Sequence, residues 1–214
     1  MKLKEKINMY FKKLNYSEQD IALMDTSSVY IAYQISAYAH KNQKRVNGDN
    51  YFFHPYDVLK SYKDLIGIKD DDYFCVDVDE LILTYNIPYH GVQEVCLLHD
   101  VLEDSNISID EIEEIYNDLS LGDHFLRYIK KPLLLITHDK NEDYLTYINK
   151  MLDNPTACLV KLLDMNDNMK VISLTELTNY ELDRINRYAF HCKQINDKWH
   201  FLQNINEYKK SGLK

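Results

Sequence analysis

Residues that interrupt helices are scarce in this chain, which has five glycines and four prolines among its 214 residues. Because these two residue types mark most turns, a β fold with many turns would need more of them. Hydrophobic residues make up 45% of the chain, enough to build a substantial core, and strand-like alternation is weak throughout. The sequence therefore predicts an all-α fold, with helices joined by short connections.

Apolar periodicity and capping residues predict where the helices lie. Pro55 follows His54 and suits the first turn of a helix, as Pro155 does further along the chain. Residues 67–90 are acidic and mixed, and their pattern assigns no element, while the chain length fits a single domain that spans residues 1–214. The other helices are predicted at residues 3–14, 27–43, 91–104, 108–118, 123–136, 141–153, 155–170 and 178–209.

Charge and cysteine content disfavour several classes of function. The net charge of −9 argues against a general nucleic-acid-binding protein, because such a protein needs a basic face. A run of about 18 apolar residues, which a membrane-spanning helix requires, does not occur. The four cysteines lack the CxxC spacing of zinc and redox motifs. We therefore expect reduced thiols in a cytoplasmic protein.

The motif LLHDVLEDS, residues 97–105, is the segment richest in chemistry. It holds His99, Asp100, Glu103 and Asp104, and positions four apart lie on one side of a helix, one turn from each other. Three carboxylates crowded beside an imidazole repel one another unless a cation compensates, and these donors suit Mn²⁺, Fe²⁺ or Zn²⁺. The alternative is an acidic helix end that faces water, which the apolar residues around His99 disfavour.

Another carboxylate, that of Asp164, directly follows an apolar run in the segment CLVKLLDMNDNM. A carboxylate buried there would need a partner, and a metal ion would be one. The alternative is that Asp164 begins a polar face, and this segment alone favours neither interpretation. With His54, His99 and Asp100, Asp164 completes a set of two imidazoles and two carboxylates that suits a single divalent ion.

Three segments in this order resemble the signature segments of HD-domain phosphohydrolases: AHKNQKRVNGDNYFFHP, LLHDVLEDS and VKLLDMNDNM. More narrowly, they are similar to the hydrolase domain of the Rel/SpoT alarmone enzymes and their small stand-alone relatives. That family shows AH-x-GQ-x-R-x-SGEPY-x-x-HP, then LLHD-x-x-ED-T, then KLADR-x-HNM. The similarity runs from about residue 29 to about residue 190, and it implies an HD-domain helical bundle. The gap between His54 and His99 is longer than in that family, which implies that residues 67–90 are an insertion or an expanded lid.

The resemblance also implies a role for individual residues. Mn²⁺ is the expected cofactor, with Fe²⁺, Zn²⁺ or Mg²⁺ as alternatives. Glu103 and Asp104 would orient and activate the attacking water, and Arg45, Lys44 and Asn168 would lie on the substrate side. The implied reaction is hydrolysis of the 3′-pyrophosphate of (p)ppGpp to GDP or GTP and pyrophosphate. The metal would be held by His54, His99, Asp100 and Asp164.

The chain departs from the family pattern where the substrate is expected. Val46 stands at a position that is usually basic, and Met165 and Asp167 replace the Arg and His of the last segment. These departures motivate a second hypothesis, an HD-domain phosphohydrolase that acts on a nucleoside monophosphate or an NADPH-like nucleotide. A third is a non-catalytic regulatory module of the same fold, which the retained Glu103–Asp104 pair disfavours. The expected partner is a small nucleotide, not nucleic acid or a membrane, and the oligomeric state is left open.

Overall fold

The computed structural model describes residues 1–68, 78–172 and 177–211. Throughout these residues the regular structure is helical, which confirms the all-α prediction. Part of the predicted insertion, residues 69–77, lies outside the described residues. The helices are α1 Leu3–Lys13, α2 Glu18–Met24, α3 Ser28–Ala39, α4 Phe53–Ile66, α5 Val78–Leu83, α6 Val92–Leu98, α7 Val101–Asp104, α8 Ile109–Asp118, α9 Gly122–His124, α10 Lys130–Ile136, α11 Tyr144–Met151, α12 Pro155–Ile172, α13 Asn179–Trp199 and α14 Phe201–Lys210.

The helix α6 lies at the centre of the fold, packed against α3, α4 and α12. Its sequence, VQEVCLL, is apolar almost all round. Its solvent-inaccessible apolar side chains are Val92, Val95, Cys96, Leu97 and Leu98. Burial of one such side chain contributes about 1.5–3 kcal/mol. The core therefore fixes the end of α6, which His99 directly follows.

Two helices that were predicted as continuous are each divided in two in the structure. The helix predicted at 91–104 divides into α6 and α7, because the chain turns at His99 and Asp100. Nδ1 of His99 donates to the carbonyl oxygen of Cys96, three residues earlier on α6, at 2.8 Å. A continuous helix would pair this oxygen with a backbone N–H. The helix predicted at 178–209 divides at His200, where φ is 53°.

The short helix α2 was not predicted from the periodicity of apolar residues. Ser17 caps α2 by accepting a hydrogen bond from the backbone N–H of Asp20 at 3.1 Å. Ile21 is the buried residue of this seven-residue helix. A helix that buries one side chain leaves no repeating apolar pattern in the sequence.

Pro132 accounts for a change of helix type between α9 and α10. A π-helical segment, Phe125–Ile129, joins these two helices. Because Pro132 has no backbone N–H, it cannot make the helical hydrogen bond to the carbonyl of Tyr128, four residues before it. The same carbonyl oxygen faces Gly91 at the start of α6, where an added Cβ would lie 2.4 Å from it.

We expect Gly91→Ala to lower the free energy of unfolding by more than about 1–2 kcal/mol, the usual cost of a left-handed residue other than glycine. The added methyl group would also collide with the carbonyl of Tyr128. Gly67→Ala is the matched control, because Gly67 has a similar φ of 79° but nothing within 4 Å of its Cβ position. Urea unfolding of both variants measures the difference. Equal losses would show that the contact with Tyr128 does not matter.

Within the described part of the chain, every helix is too short or too polar to cross a bilayer. Cys96 and Cys158 are buried free thiols, and Cys192 is a partly buried one. Cys75 lies outside the described residues. The described cysteines thus form no disulfide with one another.

Candidate metal centre

The side chains of His54, His99, Asp100 and Asp164, here called the metal centre, come together where α4, α6 and α12 pack. His54 lies in the first turn of α4, Asp164 on α12, and the other two in the turn between α6 and α7. Both histidine side chains are 2% exposed, and Asp100 and Asp164 are 15% and 6% exposed. Residues up to 110 positions apart in the chain thus share one buried point.

The donor atoms of the metal centre lie at separations that suit one divalent ion. The two Nε2 atoms of His54 and His99 are 3.3 Å apart. Oδ1 of Asp164 lies 3.0 and 3.7 Å from these atoms, and Oδ2 of Asp100 lies 3.5 and 3.2 Å from them. Ligands that sit about 2.1 Å from a shared metal are about 3.0–3.4 Å from their neighbours. The residues present therefore fit a divalent ion.

The hydrogen bonds of the two imidazoles engage Nδ1 of each ring and leave Nε2 as the atom that can face a metal. Nδ1 of His99 donates to the carbonyl oxygen of Cys96 at 2.8 Å. Nδ1 of His54 donates to Oδ2 of Asp167 at 2.7 Å. In a neutral imidazole the other nitrogen then carries a lone pair, so two lone pairs and two carboxylates face the same point. A cation is the partner that satisfies all four groups.

The charges around the metal centre attract positive charge. Burial alone would lower the pKa of His99, but Asp100 and Asp164 outweigh burial and hold this pKa well above its ordinary value. Burial works to raise the pKa of Asp164, yet the Lys161 ammonium and the two imidazoles hold it well below its ordinary value. Asp164 is therefore ionised near neutral pH, the form that binds a metal.

Glu103 and Asp104 lie on α7, beside the metal centre. Oε2 of Glu103 accepts a hydrogen bond from the backbone N–H of His138 at 3.2 Å, and burial raises the pKa of this carboxyl group. The carbonyl oxygen of Asp104 accepts from Nε2 of Gln43 at 2.6 Å. A carboxylate with a raised pKa is a better proton acceptor. This arrangement suits activation of a water molecule.

The predicted substrate residues take different positions. Nη2 of Arg45 forms an ion pair with Oδ2 of Asp167 at 3.0 Å. Nδ2 of Asn168 donates to Oδ1 of Asp164 at 2.5 Å. Lys44 is exposed, on the same loop as Arg45. The structure thus brings Arg45 and Asn168 to the metal centre and leaves Lys44 at the surface beside it.

Two charged residues of α12 contact the metal centre although no contact for them there was predicted from the sequence. Nζ of Lys161 donates to Oδ2 of Asp164 at 2.8 Å, and Asp167 accepts from His54. Lys161 and Asp167 stand three residues before and three residues after Asp164. This spacing places them on its face of the helix, and it is the signal that could have found them.

Two further residues outside α12 line the metal centre. The hydroxyl of Tyr51 donates to Oδ2 of Asp100 at 2.9 Å. Nη2 of Arg184 donates to Oδ1 of Asn168 at 3.4 Å. Arg184 lies on α13, so a second cation approaches the substrate side from a separate helix.

Comparison with known proteins agrees with this geometry, although no protein-family model matches the chain. Over 145 residues the chain is 26% identical to a guanosine-3′,5′-bis(diphosphate) 3′-pyrophosphohydrolase of Aquifex aeolicus, covering 66% of this chain and 17% of that relative. Over 107 residues it is 26% identical to the guanosine-3′,5′-bis(diphosphate) 3′-pyrophosphohydrolase MESH1 of Drosophila melanogaster, covering 50% of this chain and 58% of that relative. The chain therefore spans less than two thirds of the length of either relative.

One solved structure, described as a metazoan ortholog of SpoT that hydrolyzes ppGpp and plays a role in starvation responses, has a similar fold. The similarity covers 88% of this chain and 97% of that one, with a TM-score of 0.52 and 21% identity. The all-α fold is that of the HD-type helical bundle that the sequence predicts. Within that class, the relatives confirm the resemblance to the Rel/SpoT hydrolase domain that the three sequence segments carry.

Proposed function

We propose that this chain is a metal-dependent 3′-pyrophosphohydrolase that converts (p)ppGpp to GDP or GTP and pyrophosphate. The observation that carries the proposal is the cluster of His54, His99 and Asp100, whose donor atoms all lie within 4.8 Å of one another. Asp164 contacts both imidazoles of this cluster, and Glu103 and Asp104 follow on α7. The names of the relatives support the choice of substrate.

The residues around the metal centre suit hydrolysis by an activated water. A divalent ion, for which we propose Mn²⁺, would supply Lewis-acid stabilisation of phosphoryl charge and lower the pKa of a bound water. Glu103 is positioned to accept the proton of the attacking water, because the N–H of His138 holds one of its oxygens and leaves the other for proton transfer. Asp104 would orient that water. Phosphoryl transfer needs charge stabilisation more than a covalent partner, so no Ser or Cys nucleophile is required.

The substrate side of the metal centre carries cations that a phosphate-rich nucleotide needs. The chain has a net charge of −9, so local positive charge has to offset the field of the whole protein. We assign Arg45, Lys44 and Asn168 to substrate binding. Arg184, hydrogen-bonded to Asn168, adds a further guanidinium at this side.

The test is to incubate the purified chain with Mn²⁺ and a nucleotide panel, and to separate the products by ion-exchange chromatography. The panel holds ppGpp, pppGpp, nucleoside monophosphates and NADPH. Release of pyrophosphate and GDP from ppGpp supports the proposal. Intact ppGpp with cleavage of another nucleotide would favour the second hypothesis, which Val46 motivates because its side chain, 88% exposed, is apolar where the family is basic. Inertness toward the whole panel would favour a binding module.

We also propose that the chain acts in the cytoplasm as one domain with a nucleotide as its partner. A single hydrophobic core includes residues from Leu3 to Tyr208, which supports one domain. The free thiols of Cys96 and Cys158 suit a reducing compartment.

A further inference from the structure

Asp167 connects the loop that carries Arg45 to the imidazole of His54. Its Oδ2 atom accepts one hydrogen bond from Nδ1 of His54 at 2.7 Å and another from Nη2 of Arg45 at 3.0 Å. The side chains of His54, Asp167 and Arg45 are 2%, 8% and 9% exposed. Helix α4, helix α12 and the loop before α4 therefore meet at one carboxylate oxygen.

We propose that Asp167 and Arg45 form a positioning pair that orients His54 and sets the affinity of the metal centre. The inference rests on the metal centre of the proposed function. A carboxylate that accepts the Nδ1–H of a ligating histidine fixes its tautomer and ring orientation, and it makes Nε2 a stronger donor to the metal. Partners of this kind typically change metal affinity by about 10–100-fold.

Arg45 is required because Asp167 is buried. A buried carboxylate without a cation is costly, and removal of one partner of a buried ion pair leaves the other charge uncompensated. The guanidinium has several N–H donors, so one nitrogen can hold Asp167 while the others face a phosphate. Arg45 thereby acts on the metal centre through Asp167, in addition to its role on the substrate side.

The pair is a feature of this chain rather than of the family pattern. The segment VKLLDMNDNM has Asp167 where the related sequences have a histidine. A carboxylate is a charged acceptor and strengthens the hydrogen bond from His54, which a neutral imidazole would not do to the same degree. The carboxylate of Asp167 also gives Arg45 a buried ion-pair partner.

The first test is titration of the metal-free protein with Mn²⁺, with the free ion followed by electron paramagnetic resonance. Asp167→Asn keeps an oxygen acceptor for His54 but removes its charge, and we expect Mn²⁺ to bind about 10–100-fold more weakly. Asp57→Asn is the matched control, because the charge of Asp57 acts on the same His54 and Arg45 without a hydrogen bond to His54. The control should bind Mn²⁺ like the wild type.

The second test asks whether Arg45 acts through Asp167. Arg45→Gln should weaken Mn²⁺ binding with no nucleotide present. The double variant should bind no more weakly than Asp167→Asn alone, because both changes act on one contact. Asp167→Glu, which retains the carboxylate, should keep more affinity than the asparagine variant. Circular dichroism checks the fold, and if Asp167→Asn does not fold, Arg45→Gln and Asp167→Glu decide the question.

Wild-type Mn²⁺ affinity in folded Asp167→Asn, or in Arg45→Gln, would overturn the proposal. If Arg45 only binds substrate, Arg45→Gln should keep wild-type Mn²⁺ affinity and raise KM instead. No nucleotide enters the titrations, so their outcome is separate from that of the proposed function. If the variants show the expected Mn²⁺ affinities but the chain cleaves no nucleotide, the proposed function fails and the proposed positioning pair stands.

Discussion

Replacement of Asp100 by Asn should weaken Mn²⁺ binding by more than about 100-fold, beyond the range for residues that only orient a ligand. The substitution preserves the shape of the side chain and an acceptor for the hydroxyl of Tyr51, which lies 2.9 Å from Oδ2 of Asp100. It removes one of the two carboxylate charges that face the Nε2 atoms of His54 and His99. Hydrolysis should fall with metal occupancy, because the remaining groups cannot stabilise phosphoryl charge alone.

Thermal unfolding with and without Mn²⁺ provides a readout of Asp100→Asn that does not depend on activity. An ion that binds the folded state raises the Tm of the wild type, and it should leave the Tm of the variant unchanged. Asp49→Asn is the control, because Asp49 lies exposed on the loop before α4 and away from the metal centre. A normal rise in Tm for Asp100→Asn would show that Asp100 is not a ligand.

Glu103→Gln should behave differently, with Mn²⁺ affinity retained and turnover lowered by about 10²–10⁴-fold, the usual contribution of a positioned proton acceptor. Glutamine keeps the oxygen that accepts from the N–H of His138, so the fold around α7 should be preserved. It cannot accept the proton of the attacking water. The loss should therefore appear in kcat, with little change in metal content.

Single-turnover kinetics and Mn²⁺ titration together test Glu103→Gln. Glu113→Gln is the control, because Glu113 on α8 pairs with Lys130 at 2.6 Å and makes no contact with the metal centre. Full activity in Glu103→Gln would remove the role of proton acceptor from this residue. Loss of metal along with activity would instead make Glu103 a part of the metal centre.

The four residues that meet in the metal centre could be found from the sequence because residue type and order carry the signal; their role as metal ligands stays a prediction. His99 and Asp100 follow an apolar run, and Asp164 follows another, so each polar group had to find a partner in the core. The break of the helix at His99 could not be found in this way. It depends on the hydrogen bond that the imidazole makes to the carbonyl of Cys96, which competes with the backbone ladder.

The contacts around the metal centre were harder to predict than the four residues that form it. The local sequence does not show that Asp167 contacts His54, because the two residues are 113 positions apart and meet only when α4 packs against α12. Arg45 is separated from Asp167 by 122 positions. Such pairs depend on the rotation of one helix against another, which local periodicity does not specify.

The loop formed by residues 43–51 is closed by its own backbone. The N–H groups of Arg45 and Tyr51 donate to carbonyl oxygens across the loop at 2.9 and 3.1 Å. None of this bonding uses the side chain of Val46, and exposed positions of this kind tolerate substitution within about 0.5 kcal/mol. Selection can therefore change the residue at this position while the buried chemistry is kept. Under the proposed function, nucleotide preference is therefore free to diverge between lineages faster than the reaction itself.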